Sequence, residues 1–301
     1  MRSKKVVYNI LTSLLLQVVT VVYGFVVPKI VIDCFGSDVN GLIVSITQFL
    51  AYISLLESGF GPVVKATLYK PIAMRDKKTI VSILKTSEKF FRKIALIFIV
   101  YILILCLVFP LIAKSDFDAA FTVSLVIIIG FSTFAEYFFG MTYRLFLQAK
   151  QKMYVISIIQ IVTYILAIMF VVVFARSGAD VVVIKLATTF AFLLRPIVQN
   201  LYVKRKYNID LGSVSSNYHI KQKWDGLAQH VAWVIHSNTD IVLLTIFTTL
   251  SEVSVYSVYM LVLAAMKKVI QSFNTGIDSS FGDMLAKNET ENLKKKFSVY
   301  E

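Results

Sequence analysis

Residues 94–113 read IALIFIVYILILCLVFPLIA, an uncharged run that begins after Lys93 and ends before Lys114. A helix of about 20 residues is as long as the hydrocarbon core of a bilayer is thick. The run is continuous rather than alternating, and a helix satisfies its own backbone hydrogen bonds in lipid. It therefore predicts a transmembrane helix and not a barrel strand. The run carries no polar stripe, so we expect it to be lipid-facing scaffold.

Further apolar segments of similar length occur on both sides of this run. The predicted helices lie near 6–32, 41–64, 94–113, 119–141, 154–175, 179–203, 226–249 and 253–277. Composition agrees, because 57% of the residues are hydrophobic and only 16% are charged. Soluble domains have about 45–50% apolar and about 25% charged residues. We therefore predict an all-α, polytopic membrane protein, a helical bundle with about eight transmembrane helices.

Basic residues are concentrated in alternate connections between these helices. Of the 31 Lys and Arg, 24 fall in residues 1–5, 65–93, 144–152, 204–223 and 283–301. The positive-inside rule puts these segments, and with them the N-terminus, in the cytoplasm. The expected location is a bacterial cytoplasmic (inner) membrane, with a multi-pass topology. The net charge of +13 is then explained by topology and by lipid headgroups, and no nucleic-acid partner is expected.

The longest cytoplasmic connection predicts the division of the chain into lobes. Residues 1–203 form an N-terminal six-helix lobe, 204–224 the loop between lobes, and 225–301 the start of a C-terminal lobe with two helices. Because two helices make a poor second lobe beside six, we interpret the chain as an N-terminal fragment of a longer protein.

The short outer connections leave no room for an external catalytic domain. The sequence also has no P-loop, zinc spacing or Gly-x-Ser-x-Gly motif. We expect a transporter and not an enzyme, with no catalytic residue, metal site or cofactor.

Four of the predicted helices align polar side chains along one face at 100° per residue. The stripes comprise Asn9, Ser13, Gln17, Thr20 and Gly24 in helix 1; Lys185, Thr188, Phe192, Arg195 and Gln199 in helix 6; Asp225, Gln229, Trp233, His236 and Asp240 in helix 7; and Tyr256, Lys267, Gln271, Asn274 and Asp278 in helix 8. Small polar residues in such stripes commonly pack helices together.

A charge at the bilayer centre, however, costs several kcal/mol unless it faces a wet cavity or a partner. The cavity candidates are therefore Glu57, Glu136, Arg195, His236, Asp240 and Lys267. Structural ion pairs remain the alternative for Glu57 with Lys65 and for Glu136 with Arg144, from their spacing along the helices.

A weak internal repeat relates the two ends of the chain. A shift of 214 positions aligns Ser37-Asp38-Val39 with Ser251-Glu252-Val253, and Glu57-Ser58 with Gln271-Ser272. Both members of the first pair start a helix after a short outer turn. Transporters are often built from repeated bundles that enclose the binding site.

Several motifs resemble those of a known family. They are FGSDVNGL at 35–42, QFL at 48–50, LLESG at 55–59, VKATLYKP at 64–71, NTDI at 238–241 and VYSVY at 255–259. They are similar to motifs of the bacterial polysaccharide flippases, the O-antigen and capsule repeat-unit translocases of the multidrug/oligosaccharidyl-lipid/polysaccharide exporter superfamily. The resemblance implies two six-helix lobes around a central cavity lined by helices 1 and 7. It also implies alternating access, with a polyprenyl-diphosphate-linked oligosaccharide as cargo. Members of the family have more helices than the eight predicted here.

This cargo suggests roles for the polar residues. Cationic donors make charge-assisted hydrogen bonds to phosphate oxygens, amides can bind sugar hydroxyls, and aromatic rings can stack on sugars. Burial raises a carboxylate's pKa toward neutrality and suits it to coupling transport to protons or sodium. The candidates are Arg195, Lys185 and Lys267 for the diphosphate; Asn9, Gln17, Gln229 and Gln271 for sugar hydroxyls; Trp233 and Tyr256 for stacking; and Asp240, Glu57, Glu136 and His236 for ion coupling. Membrane lipids are expected partners, and the polysaccharide polymerase machinery is a further candidate.

Three alternatives remain open at the level of sequence. A multidrug exporter of the same superfamily would favour cationic drugs, so carboxylates should outnumber cations in its cavity. A peptidoglycan lipid-precursor flippase is a second relative with a similar cargo. A non-transporting membrane scaffold or assembly protein belongs to a different class, and it would have no reason to bury charges along facing stripes.

The predicted topology can be tested with reporter fusions. Fusions at Lys78, Gln151 and Ser215 should report a cytoplasmic location, and fusions at Asp116 and Gly178 an external one. The physical reason is the distribution of Lys and Arg between the two sides. A cytoplasmic signal at Asp116 would contradict the number of helices that precede it.

Overall fold

A computed structural model describes residues 2–57, 59–113, 117–209, 211, 218 and 227–267. These residues form helices and no strand. The helices are α1 (Arg2–Phe35), α2 (Ser37–Ala51), α3 (Ser54–Glu57), α4 (Phe60–Met74), α5 (Lys77–Ile112), α6 (Ala119–Ala135), a π-helical turn (Glu136–Gly140), α7 (Met141–Ala149), α8 (Met153–Arg176), α9 (Val181–Tyr207), α10 (Leu227–Phe247) and α11 (Leu250–Lys267). The predicted all-α class is confirmed.

Most of these helices are long and apolar enough to cross a bilayer. In the described residues the candidate spans are Tyr8–Phe35, Ser37–Glu57, Lys77–Ile112, Ala119–Ala149, Met153–Arg176, Val181–Tyr207 and Leu250–Lys267. The predicted segment 226–249 contains a shorter apolar helix, Val231–Phe247. The structure therefore agrees with a multi-pass membrane protein of roughly eight helices.

The chain separates into two compact units, Met1–Ser257 and Val258–Glu301. The first unit contains α1 to α10 and the beginning of α11. Of the second, the structure describes the rest of α11, which ends at Lys267 with an exposed side chain. The predicted loop 204–224 lies largely outside the described residues, and the division into lobes there stays a prediction.

The connection 65–93, which is predicted to be cytoplasmic, is helical apart from the turn at Arg75 and Asp76. Asp76 caps α5, because its carboxylate accepts hydrogen bonds from the hydroxyl and the backbone N–H of Thr79. The hydroxyl and then the backbone bond lower the pKa of the Asp76 carboxyl. From this cap α5 presents one apolar face to the bundle, where Leu84 and Phe91 are fully buried. The sequence analysis placed the helix only where the apolar run begins, at Ile94, because the charged residues on the opposite face mask the amphipathic pattern.

Two of the predicted spans contain interruptions. The segment predicted as one helix over 41–64 breaks between Ala51 and Phe60, where Gly59 adopts a left-handed conformation with φ of 76°. The segment that begins at Ala119 changes from α-helix to π-helix over Glu136–Gly140 before α7 continues it. π-Helical turns within α-helices occur frequently at functional sites.

Candidate functional site

Two carboxylates predicted to lie at membrane depth sit at these two interruptions. Glu57 ends the short helix α3, and Glu136 begins the π-helical turn. Each is followed four residues later by a glycine that makes room for it. A Cβ atom at Gly61 would lie 2.6 Å from Glu57 Oε1, and one at Gly140 would lie 3.2 Å from Glu136 Oε2. Both carboxylates therefore lie directly against helix backbone, where a larger residue would displace them.

Tyr137 and Arg144 complete this group, which we call the inner cluster (Glu57, Glu136, Tyr137 and Arg144). The Tyr137 hydroxyl donates a hydrogen bond of 3.4 Å to Glu57 Oε2. Arg144 Nη1 donates to Glu136 Oε1, also at 3.4 Å, and the pair forms a partly exposed ion pair. The pairing of Glu136 with Arg144 that the sequence spacing allowed is therefore present. An opposite charge at this distance offsets part of the cost of placing either group away from bulk water.

A cavity of about 290 Å³ opens beside the inner cluster. We call it the inner cavity; its lining residues are Glu57, Gly61, Pro62, Lys65, Met141, Arg144, Leu145 and Gln148. The cavity lies between α4 and α7, which pack against each other. Lys65 is partly buried, and its ammonium has no hydrogen bond or ion pair with any described residue. Two cations, one amide and one carboxylate thus line one space, and one of the cations, Arg144, is already paired with Glu136.

A row of three hydrogen bonds, two of them buried, joins α2 to α10 and α11. We call this row the seam; it consists of Asn40 Nδ2 to Ser254 Oγ at 2.8 Å, Ser45 Oγ with Thr245 Oγ1 at 2.7 Å, and Gln48 Nε2 to Asn238 Oδ1 at 2.7 Å. The helices approach so closely that a Cβ atom at Gly41 would overlap the Leu250 carbonyl oxygen. Asn40 and Ser254 begin their helices after outer turns in the predicted topology. The seam therefore closes the half of the bundle opposite the inner cavity.

Arg195 lies apart from the inner cluster, in an aromatic cage formed with α1 and α8. Its guanidinium carbon lies 4.4 Å from the Tyr164 ring centroid and 4.2 Å from that of Phe192. Its Nε donates a 2.8 Å hydrogen bond to Thr163 Oγ1. The Tyr23 ring packs 4.9 Å from Tyr164 and extends the cage to α1. Cation–π contacts that exclude water contribute about 2 kcal/mol or more.

The cage leaves one edge of the guanidinium unused. Nη2 of Arg195 is buried and has no hydrogen-bond partner in the described part of the chain. No described carboxylate forms an ion pair with Arg195, so the alternative pairing with Glu57 or Glu136 is not present there. An anionic oxygen would satisfy this donor, and the assignment of Arg195 to the diphosphate stays a prediction.

Other candidates from the polar stripes have separate environments. Both polar atoms of the Asn9 amide bind backbone: Nδ2 donates to the Gln151 carbonyl and Oδ1 accepts from Tyr154 N–H. Asn9 thus ties α1 to the start of α8. Tyr256 Oη donates a 2.8 Å hydrogen bond to Asp240 Oδ2, which unites two candidates from different helices.

The remaining candidates are not brought together. Lys185 is partly buried one turn after the start of α9, and its ammonium has no partner among the described residues. The side chains of Gln17, Trp233, His236 and Lys267 are exposed. The Gln229 side chain and all of Asp225, Gln271, Asn274 and Asp278 lie outside the described residues. Their predicted roles stay predictions.

Several residues of the site were missed by reasoning from sequence. Tyr137 and Gln148 were not identified, although each lies within one turn of a charged residue that was. The pattern Glu-x-x-x-Gly occurs at both Glu57 and Glu136 and could have indicated carboxylates packed on backbone. The seam could have been anticipated at one point, because Asn40 and Ser254 are separated by the 214 residues of the internal repeat.

Substitution of Arg195 tests whether its charge serves the cargo. We expect Arg195→Gln to abolish the predicted polysaccharide export while membrane abundance stays normal, because no described carboxylate loses a partner. Arg195→Lys should keep part of the activity, since it keeps the charge and loses only the planar fork. Arg176→Gln, at the exposed end of α8, is the control. Export at the normal level in Arg195→Gln would remove Arg195 from the site, and reduced abundance would assign it to the scaffold.

Comparison of the chain with family models, with curated proteins and with solved structures gives no match. The inner cavity, the seam and the aromatic cage are therefore the observations on which a functional assignment rests.

Proposed function

We propose that the chain belongs to a transporter that flips polyprenyl-diphosphate-linked oligosaccharide repeat units across the cytoplasmic membrane by alternating access. The observation that carries this proposal is the inner cavity, in which Lys65 and Arg144 line a common space at the predicted cytoplasmic end of the bundle, next to Glu57. A charged side chain inside a bilayer is costly, and it usually marks a substrate or ion pathway. A scaffold protein would gain nothing from that cost.

Lys65 is the cation of the inner cavity that remains for an anionic cargo. Arg144 lines the cavity too, but it is paired with Glu136, and Glu57 accepts a hydrogen bond from Tyr137. The volume of about 290 Å³ is at the lower end for a drug-sized ligand, at about 300–1,000 Å³. It suits a diphosphate group and is too small for an oligosaccharide.

The seam gives the transporter a gate on the outer side. Its members are neutral amides and hydroxyls, and each such hydrogen bond contributes only about 0.5–1.5 kcal/mol net because water replaces it on opening. Three of them together amount to a few kcal/mol. Cargo binding can supply a difference of that size between two states. Ion coupling through Glu57 and Glu136 is part of the same proposal, since Glu57 lines the cavity and Glu136 is paired with Arg144, which also lines it.

Neutralising Lys65 tests the cavity without disturbing an ion pair. We expect Lys65→Gln to reduce surface polysaccharide at least about tenfold, as one lost charge-assisted hydrogen bond to phosphate would. Lipid-linked repeat units should accumulate on the cytoplasmic side, while membrane abundance is unchanged. Lys65→Arg should retain export.

Lys70→Gln is the matched control, since Lys70 lies on the same helix and is exposed. Normal export by Lys65→Gln would contradict the proposed cargo site. Normal polysaccharide together with increased drug sensitivity in a strain that lacks the gene would favour a multidrug exporter instead.

A disulfide across the seam should arrest transport. The hydroxyls of Ser45 and Thr245 lie 2.7 Å apart, close enough for cysteines at both positions to bond. In a variant with Cys34 and Cys106 replaced by Ala, Ser45→Cys with Thr245→Cys should export normally when reduced and stop when oxidised. Reductant should restore export.

The control pairs Thr47→Cys with Thr245→Cys, because Thr47 is exposed and its hydroxyl bonds to its own helix. It should not cross-link. Undiminished export by a fully cross-linked Ser45–Thr245 variant would refute the role of the seam as a gate.

A further inference from the structure

A second cavity, of about 170 Å³, lies where three helices end. α4 ends at Met74, α7 at Ala149 and α9 at Tyr207, and α5 begins beside them. The lining residues are Ile72, Arg75, Lys77, Ile80, Phe146, Lys150, Tyr207 and Ile209. None of them lines the inner cavity. The predicted topology puts this end of the bundle at the cytoplasmic surface of the membrane.

Basic side chains surround the second cavity. Arg75, Lys77 and Lys150 line it, and Lys150 Nζ lies 4.5 Å from the centroid of the Tyr207 ring. Lys152 approaches the same ring to 5.6 Å. Lys206 adds a further cation in the last turn of α9. Five cations are thus gathered at three adjoining helix ends.

The negative ends of the three helices cannot neutralise this much positive charge. The C-terminus of a helix carries about half a negative charge, so three of them amount to about one and a half. Asp76 and Asp210 are the acidic residues next in sequence to the lining. The Asp76 carboxylate is already engaged by Thr79. Even if both are counted as full negative charges, the cations remain in excess, and the site attracts an anion.

The rest of the lining is apolar, which decides what kind of anion fits. Ile72, Ile80 and Ile209 line the cavity together with the cations. A small hydrated anion would gain nothing from these surfaces. A phosphate group attached to an acyl chain would meet both the cations and the isoleucines.

We propose that this second cavity binds the phosphate headgroup of an anionic phospholipid of the cytoplasmic leaflet. Arg75, Lys77 and Lys150 bind the phosphate oxygens, and the isoleucines of the lining contact the first part of an acyl chain. Basic pockets between helices on the cytoplasmic side suit such headgroups. The proposal is independent of the cargo of the inner cavity, because the two cavities share no residue.

Lipid binding to the purified, detergent-solubilised chain tests the proposal. Native mass spectrometry would measure the affinity for phosphatidylglycerol, with phosphatidylcholine as the neutral lipid and inorganic phosphate as competitor. Each basic residue near the headgroup contributes roughly fivefold in affinity. The variant Arg75→Gln, Lys77→Gln, Lys150→Gln should therefore lose at least about tenfold in affinity for phosphatidylglycerol. Lys77→Gln alone, at the exposed start of α5, should lose roughly fivefold and guards against misfolding of the triple variant.

The matched control removes three charges from the same end of the bundle. Lys70, Lys78 and Lys204 are exposed and do not line the cavity; their replacement by Gln should change the affinity by less than about twofold. An equal loss in this control would overturn the proposal in favour of diffuse surface attraction. Unchanged affinity in the cavity variants would overturn it too. Equal binding of phosphatidylcholine would exclude headgroup recognition, and displacement of the lipid by millimolar inorganic phosphate would indicate a free-phosphate site.

Discussion

The cost of holding charge away from water governs this structure more than any other constraint. Hydrocarbon cannot solvate an ionised side chain, so each one inside the bundle needs a partner, a cavity or a polarisable surface. The chain uses all three. Glu136 has an ion pair with Arg144, Lys65 borders a cavity, and Arg195 is held between aromatic rings. The helix interruptions at Gly59 and at Glu136–Gly140 meet the same requirement. At each of them a carboxylate packs against helix backbone at a glycine.

Neutral and charged polar groups divide the bundle between them. On the outer side of the predicted topology, amides and hydroxyls pair across α2 and α10 at full burial, as Ser45 and Thr245 do. On the opposite side, ionised groups line open space. Pairs of neutral groups can separate and re-form at small cost, whereas an ion pair such as Glu136–Arg144 holds its geometry. This division suits a molecule in which one side opens and the other retains a guest.

Sequence reasoning recovered the helices because apolar length is set by bilayer thickness and needs no tertiary information. The membrane depth of Glu57 and Glu136 stays a prediction. Sequence reasoning failed to anticipate the break before Gly59 and the π-helical turn, since both depend on how the helices pack. It also grouped residues that share one face of a helix. Which other helix packs against that face is set only by the tertiary structure. Arg195 shares a stripe with Lys185 and Gln199, yet its partners are Tyr164 and Phe192, of which only Phe192 belongs to that stripe. Asn9, aligned with Gln17, instead caps a neighbouring helix.

The hydrogen bond between Asn40 and Ser254 has a meaning beyond closing the outer half. These two residues are separated by the repeat distance of 214, so each occupies the position of the other in the duplicated pattern. A side chain can touch its own counterpart only near a rotation axis that exchanges the two halves. A twofold arrangement of the repeat would therefore place its axis beside this hydrogen bond, where α2 meets α11.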